Sequence, residues 1–262
     1  MSQLRFDADL LPRLEALYGT EDVLRRRRLV REALAATPGD SVLDAGCGPG
    51  FYATELLDDV GSDGSVVGVD RSREMLAAAR HRSEALANVA FLEGEMTALP
   101  VGDAAFDAAL CVQVLEYVPD VDAALGELHR ALVPGGRLVL WDVDWSTISL
   151  GTSDEARTRR ILDAWDGHLA HPALPRSLPS RLRAAGFEAV RLEAHAFATD
   201  RLSPESYLGT LVELVEGYVA GRDDVAADDV RGWIDDLRDL DERGAFYAAV
   251  TQVCVAARKP AG

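Results

Sequence analysis

Val42-Leu43-Asp44-Ala45-Gly46-Cys47-Gly48-Pro49-Gly50 is a short apolar run that closes on an acid and then on glycines at alternate positions. Val42 and Leu43 suit a buried parallel strand, and Phe51, Leu56 and Leu57 resume at helical spacing, so the glycines fall where a strand becomes a helix. Lacking Cβ atoms, they can take positive φ and let the backbone reach contact distance of a ligand. The helix that follows offers unpaired N–H groups and a positive dipole end, worth about 0.3–1 kcal/mol to a negatively charged group. A carboxylate or a phosphate fits such a turn.

The dinucleotide fingerprint Gly-x-Gly-x-x-Gly, counted from Gly46 and Gly48, would need its third glycine at Phe51. That mismatch makes a nicotinamide-dependent oxidoreductase the alternative rather than the leading reading. The stretch instead resembles motif I of class I S-adenosylmethionine-dependent methyltransferases, Asp/Glu-x-Gly-x-Gly-x-Gly, with Asp44, Gly46, Gly48 and Gly50 in register. The resemblance implies that the turn, with Gly46, Cys47 and Gly48, cradles the methionine moiety of S-adenosylmethionine while Asp44 helps hold its ammonium end.

The next apolar run, Ser65-Val66-Val67-Gly68-Val69-Asp70, also ends in an acid. At the carboxyl end of a parallel strand beside the glycine turn, Asp70 is placed to accept both ribose hydroxyls of an adenosine. Capping the following helix is the other use of such an acid, and Ser72 already serves it. Arg71 could lie along the adenine face. Gly94-Glu95-Met96-Thr97-Ala98-Leu99-Pro100 resembles the family's Gly-Asp-Ala-x-x-Leu-Pro segment with Glu95 in place of the usual Asp. There the acid accepts from the adenine amino group and the next N–H, here that of Met96, reaches a ring nitrogen. Gln113 or its carbonyl would contact the methionine end. The Asn-Pro-Pro-Tyr turn of adenine and glutamine amino-methyltransferases is missing at this place, which argues against those substrates. Arg130-Ala131-Leu132-Val133-Pro134-Gly135-Gly136-Arg137-Leu138 is close to the family's signature before the fifth strand and serves packing.

The elements needed to bring these residues together are legible in order. Leu10 to Tyr18 and Glu21 to Ala36 read as helices, the second capped by Thr20. Strands follow at Ser41 to Ala45, Ser65 to Asp70, Val89 to Glu93, Phe106 to Val112 and Arg137 to Asp142, with helical segments between them. The pattern predicts an α/β fold, a doubly wound Rossmann-like and mostly parallel sheet with ligands outside the carboxyl strand ends. Ser153 to Ala170 reads as a helix broken by His171-Pro172-Ala173-Leu174-Pro175, and Leu178 to Ala185 as another. A sixth strand is expected at Phe187 to Phe197 and helices at Pro204 to Val219 and Asp228 to Arg243. By the resemblance, Phe246 to Arg258 is a seventh strand, antiparallel between the fifth and sixth. The division expected is an N-terminal helical cover, 1–40, and a cofactor-binding domain, 41–262, with a helical insertion at about 200–243. In similar methyltransferases a tyrosine and an arginine of the cover close over the cofactor, and by position these are Tyr18 and Arg27. An aromatic core plug is the other reading of Tyr18.

The chain has 262 residues, 48% hydrophobic and 27% charged, the composition of a globular α/β protein. With 44 acids against 27 bases the net charge is −17, so a polyanion is repelled and nucleic acid is not expected as a partner. The one basic run, Arg25-Arg26-Arg27-Arg28, reads as a solvated helix face. No apolar run reaches the length of a membrane span, and Met1-Ser2-Gln3-Leu4-Arg5 lacks the pattern of a signal peptide, so a cytoplasmic location is expected. Cys47, Cys111 and Cys254 are far apart in apolar runs and read as buried thiols. Without a Cys-x-x-Cys, a His-Glu-x-x-His or a carboxylate box, no metal is expected.

Methyl transfer from a sulfonium is an in-line displacement, so orientation alone supplies much of the rate and no nucleophilic side chain is needed. A base is required only where the acceptor must lose a proton. His168, His171, Asp144, Glu116 and Tyr18 are candidates, with His171, in an irregular segment facing the functional edge, and Tyr18 as the catalytic choices. The cover and insertion bring Trp145, Trp165, Tyr207, Tyr218 and Trp233, which could line a closed pocket for a small organic molecule or fill the core. The layout looks most like ubiquinone and menaquinone methyltransferases and bacterial natural-product methyltransferases, which implies a quinone-like or secondary-metabolite acceptor and a monomer or homodimer. A cofactor-binding protein without turnover would carry the same acids.

Overall fold

A computed structural model of the chain describes residues 11–220, 222 and 225–262; the expected helix residue Leu10 and the segment Met1-Ser2-Gln3-Leu4-Arg5 lie outside them. Successive strand residues point to opposite faces, and both faces of the sheet are covered. On β1 (Ser41–Ala45), Val42 packs into one core and Leu43 into the other, each fully buried. The same alternation runs along β5 (Leu132–Leu150), where Val139, Trp141 and Val143 enter the first core and Leu138 and Leu140 the second.

With β2 (Ser65–Asp70), β3 (Val89–Glu93), β4 (Phe106–Val112), β6 (Glu188–Thr199) and β7 (Ala248–Arg258), these form a seven-stranded sheet of order β3-β2-β1-β4-β5-β7-β6. β7 runs antiparallel to both neighbours, and the β1–β2, β1–β4, β2–β3 and β4–β5 pairs are parallel. The Rossmann-like sheet with an antiparallel last strand is therefore the architecture found.

One face carries α2 (Glu21–Leu34), α3 (Phe51–Val60) and α4 (Arg73–Arg82), which bury Val30, Leu34, Leu56 and Leu76. The other carries α5 (Val121–Ala131) and α7 (Leu178–Ala184), which bury Leu125, Leu128 and Leu182. α1 (Leu11–Tyr18), α6 (Glu155–Asp166), α8 (Tyr207–Val219) and α9 (Ala227–Glu242) complete the described helices. α8 packs on α1, α2, α6 and β6, and is buried nearly all round, as a helix among helices must be. α2 lies directly on β4, β5 and β7 as well as against α1 and α8, so it is a layer of the sheet's packing. Among the described residues no helix is long and apolar enough to cross a membrane.

Several boundaries depart from the sequence reading for local reasons. α2 stops at Leu34 because Ala35 turns into the left-handed region, φ 50. Thr20 sits at its N-cap position, but its hydroxyl donates backward to the Leu17 carbonyl at 2.8 Å. α6 ends at Asp166, because His168 and Leu169 bond back in a turn and the Ala170 N–H donates to the Glu116 carbonyl. β5 extends well beyond Asp142 because β7 continues to pair with it as far as Leu150, past an irregularity between Asp144 and Ser149. Of the basic run, only Arg25 and Arg28 are exposed; Arg26 and Arg27 are buried, sharing the inward face with Val23 and Val30. The three cysteines are buried free thiols.

Candidate functional site

The glycine turn is fastened to the end of β2. The N–H groups of Gly46 and Cys47 donate to the Val69 carbonyl at 2.7 and 3.0 Å, and the Gly48 N–H donates to Asp70 Oδ2 at 2.8 Å. Asp70 Oδ1 accepts from the Ser72 N–H at 2.9 Å. Gly46, Gly48 and Gly50 all have left-handed φ, at 79, 51 and 79°. At Gly46 the constraint is steric as well, because a Cβ would sit 2.8 Å from Val114 Cγ1 and closer still to Cγ2.

Above the turn opens a cleft. Its lining brings together Tyr18, Gly46, Gly48, Asp70, Arg71, Glu95, Met96 and Gln113, residues separated by long stretches of chain. The sheet order explains the convergence: β1, β2, β3 and β4 are neighbours and parallel, so their carboxyl ends face the same way. Burial pushes the Asp70 carboxyl above its ordinary range, and the Ser72 and Gly48 N–H groups pull it back. Asp70, Arg71 and Glu95 line the β2–β3 side, whereas Val112, Val114, Tyr117, Val118 and Pro119 line the β4 side.

Not every expected residue reaches the cleft. Asp44 is buried beneath the turn, with Oδ2 unpartnered, and burial followed by the nearby Asp70 charge raises it to about 7. The Cys47 thiol is turned inward toward β2, where it would touch a Cβ added at Gly68, and burial pushes it up. Arg27 is tied away: its Nε donates to Glu55 at 2.7 Å and its guanidinium to the Tyr18 carbonyl at 2.7 Å. It therefore supports Tyr18 from behind and does not line the described cleft. The Tyr18 hydroxyl lies 3.9 Å from where a Gly48 Cβ would be, and burial raises its pKa.

Nor does His171 line the cleft. Its ring Nε2 lies 3.1 Å from the carbonyl of Pro119, a rim residue, and its N–H donates to the Glu116 carbonyl. His168 is buried, paired with the Trp165 carbonyl and packed at tilted angles among Trp165, Tyr218 and Tyr117, and burial lowers it to about 4. Asp144 is engaged by Arg176 at 2.8 Å. Trp145, Trp165, Trp233 and Tyr207 are core residues, each at most 3% exposed.

The segment after β4 supplies wall residues that sequence reasoning passed over, Val114 and Tyr117 to Pro119, as α1 does with Leu14 and α4 with Met75. The signal was positional, since the first turn beyond a parallel strand's carboxyl end belongs to the site. Glu116, in the same turn, is fully buried, accepts from Trp145 Nε1 at 2.7 Å and is raised by burial to about 7.

Asp44 and Glu116 set a testable sign. Both keep in the native state a proton that the unfolded chain loses near its ordinary carboxyl pKa of about 4, so between about pH 4 and 7 the folded chain binds more protons and stability falls as pH rises. Each group contributes at most about 1.4 kcal/mol per pH unit in that window. The urea midpoint should be higher at about pH 5.5 than at about pH 7.5, and Glu116→Gln should flatten the slope. A midpoint that rises with pH would contradict both assignments.

A family model described as a methyltransferase domain matches residues 36–174. A 2-phytyl-1,4-naphtoquinone methyltransferase of Synechococcus elongatus is 40% identical over 120 residues, covering 45% of this chain and 52% of that protein. The match thus spans about half the length of that relative. An uncharacterised 37.1 kDa protein in transposon TN4556 of Streptomyces fradiae is 32% identical over 250 residues, covering 94% of this chain and 70% of that one. Among solved structures, the [4+2]-cyclase SpnF superposes with a TM-score of 0.64 at 25% identity, over 97% of this chain and 94% of the cyclase.

Proposed function

This chain belongs to the class I S-adenosylmethionine-dependent methyltransferases, and from that premise we propose that it methylates an O, N or C nucleophile of a small organic molecule, quinone-like or a secondary metabolite, by in-line displacement. The convergence of Asp70, Glu95, Gln113 and the glycine turn on one cleft carries the reading. The residues present suit the cofactor: a Cβ at Gly46 would close the turn against Val114, and the carboxylates of Asp70 and Glu95 are available at the adenosine side.

When bound, S-adenosylmethionine supplies an electrophilic methyl group on a sulfonium that is its own leaving group. Asp70 would hold the ribose hydroxyls, Glu95 and the Met96 N–H the adenine, and the turn at Gly46 and Gly48 the amino-acid end. Orientation of two bound reactants is worth effective molarities of about 10⁵ M or more, so the walls do most of the work by excluding water and fixing the acceptor. Leu14, Val118 and Pro119 form an apolar boundary and Tyr18 and Tyr117 add phenols, which favours a neutral acceptor with aromatic or aliphatic bulk. A phenol is protonated at neutral pH and burial raises Tyr18 further, so its role is to donate a hydrogen bond that orients the acceptor rather than to remove a proton. His171 holds the rim through the Pro119 carbonyl.

Calorimetry with S-adenosylmethionine against NAD tests the cofactor, and transfer of labelled methyl onto a panel of quinols and phenols tests the acceptor class. Binding of NAD alone would overturn the reading, as would label passing only to protein or nucleic acid.

A further inference from the structure

An acceptor hydroxyl sheds its proton as it takes a methyl group, and a base speeds that loss. His168 is enclosed and neutral, His171 lies outside the cleft lining, and Asp144 is held by Arg176. With Asp70, Arg71 and Glu95 on the β2–β3 side, the titratable groups that remain in the lining are the phenols of Tyr18 and Tyr117. Burial raises both, so neither is a base by itself. Tyr117, however, has a buried carboxyl directly behind it.

That carboxyl is Glu116, its neighbour in the single turn Leu115–Tyr117. Trp145 Nε1 donates to Glu116 Oε2 at 2.7 Å, while Oε1 is buried without a partner. A carboxyl left half-satisfied in a closed interior costs stability, and such groups collect at functional sites. Burial lifts Glu116 to about 7, and Trp145, the Val143 N–H, the Arg26 charge and the Tyr117 phenol oppose burial in that order. Asp142 of β5 is held well above its ordinary range by burial and then by the Glu116 charge, so it keeps its proton and Glu116 is the member that ionises near neutrality. From α2 comes Arg26, 1% exposed, whose guanidinium donates to Gln113 Oε1 and whose charge favours the Glu116 anion. From α8 comes Tyr207, a phenol that burial pushes up to about 12 and that accepts from Gln113 Nε2 at 3.3 Å. The neutral His168 ring stands 5.7 Å from that of Tyr117.

We propose that the acceptor is a hydroxyl compound whose proton Tyr117 passes on to the buried carboxylate of Glu116, with Arg26 as a positioning residue that keeps this carboxylate anionic. The inference rests on the methyltransferase reading above and narrows its acceptor to oxygen. The acceptor oxygen forms a bond to the methyl carbon while the carbon–sulfur electron pair leaves on sulfur. The hydroxyl proton moves to the Tyr117 oxygen as the phenol's own proton moves to Glu116 Oε1. Tyr117 thus never becomes a phenolate, which its burial disfavours, and Glu116 ends as a neutral acid. Its proton returns to water once product has left.

The test uses the full-length chain, S-adenosylmethionine with a labelled methyl group, and two phenols. 4-Nitrophenol is largely ionised at about pH 8 and needs no base, whereas 4-methylphenol keeps its proton there. Glu116→Gln retains an acceptor for Trp145 Nε1 and removes the base. It should slow methylation of 4-methylphenol by about 10²–10⁴-fold and that of 4-nitrophenol by less than about threefold. It should also abolish the rise in kcat/KM that the wild type shows as Glu116 ionises through about pH 7. Tyr117→Phe should discriminate between the phenols in the same way, and the double variant should lose no more, because two members of one relay act as a unit. Calorimetric binding of S-adenosylmethionine should change by less than about twofold in each variant, which separates loss of the proton path from collapse of the wall. Equal losses on the two phenols, a pH limb that survives in Glu116→Gln, or multiplicative losses in the double variant would each overturn the proposal. So would a wild-type chain that binds S-adenosylmethionine and methylates no hydroxyl among these phenols and the quinols. Failure of the methyltransferase reading is a separate result, in which the wild-type chain does not bind S-adenosylmethionine.

Discussion

Asp70→Ala will weaken S-adenosylmethionine binding by about a hundredfold or more. The carboxylate is expected to accept two charge-assisted bonds from the ribose, each worth roughly 1.5–3 kcal/mol, and about 1.4 kcal/mol is tenfold. A second loss is built in, because Asp70 also accepts the Gly48 and Ser72 N–H groups and so shapes the turn. Asp70→Asn separates the two roles. Its amide oxygen can still accept one backbone N–H, but its NH2 group has no lone pair for a hydroxyl. Binding of adenosine itself, measured alongside, isolates the ribose contribution. A loss of less than about threefold in Asp70→Ala would remove Asp70 from the cofactor site.

The second large effect is on folding. Gly46→Ala places a methyl against both Cγ atoms of Val114 at a φ of 79°, so it adds left-handed strain of about 1–2 kcal/mol to an overpacking cost of about 1–3 kcal/mol. For a chain of this size a destabilisation of about 3 kcal/mol lowers Tm by roughly 10 °C. Val114→Ala in the same chain should recover the packing part and leave the strain, so the double variant should melt between Gly46→Ala and the wild type. Additive losses in the double variant, read by calorimetric melting, would show that Val114 is not what the methyl meets.

The parts legible in the sequence share one property, that each is encoded within a few residues. The glycine turn, the acid at the end of β2 and the Gly94 to Pro100 segment are local patterns at strand ends, and the parallel sheet collects them on one edge without further instruction. The parallel pairing follows from the βαβ alternation in the same way, whereas the order of the strands is set by long-range packing that no local pattern encodes. Arg26 was hidden because the run Arg25 to Arg28 reads as one charged face, although 3.6-residue periodicity places its middle pair beside Val23 and Val30. Arg27 was legible as a residue near the site but not as one committed to Glu55, because that partner lies 28 positions away on α3. Tyr207 lay beyond local reasoning for the same cause, its partner Gln113 being 94 positions distant. His171 shows the converse error: an irregular segment near the functional edge need not aim its side chain inward, and here a backbone carbonyl takes the ring.

The placement of β7 has a consequence for how the molecule is made. Its ladder joins β5 to β6, and among the described residues β6 has no other strand beside it, so β6 has no partner until the ribosome has delivered Ala248 to Arg258. A nascent chain halted after α9 would hold a finished β3-β2-β1-β4-β5 sheet and a loose, hydrogen-bond-hungry β6, a state prone to pairing with neighbouring polypeptides. Vectorial synthesis therefore completes the glycine turn early and closes the sheet only at the last strand.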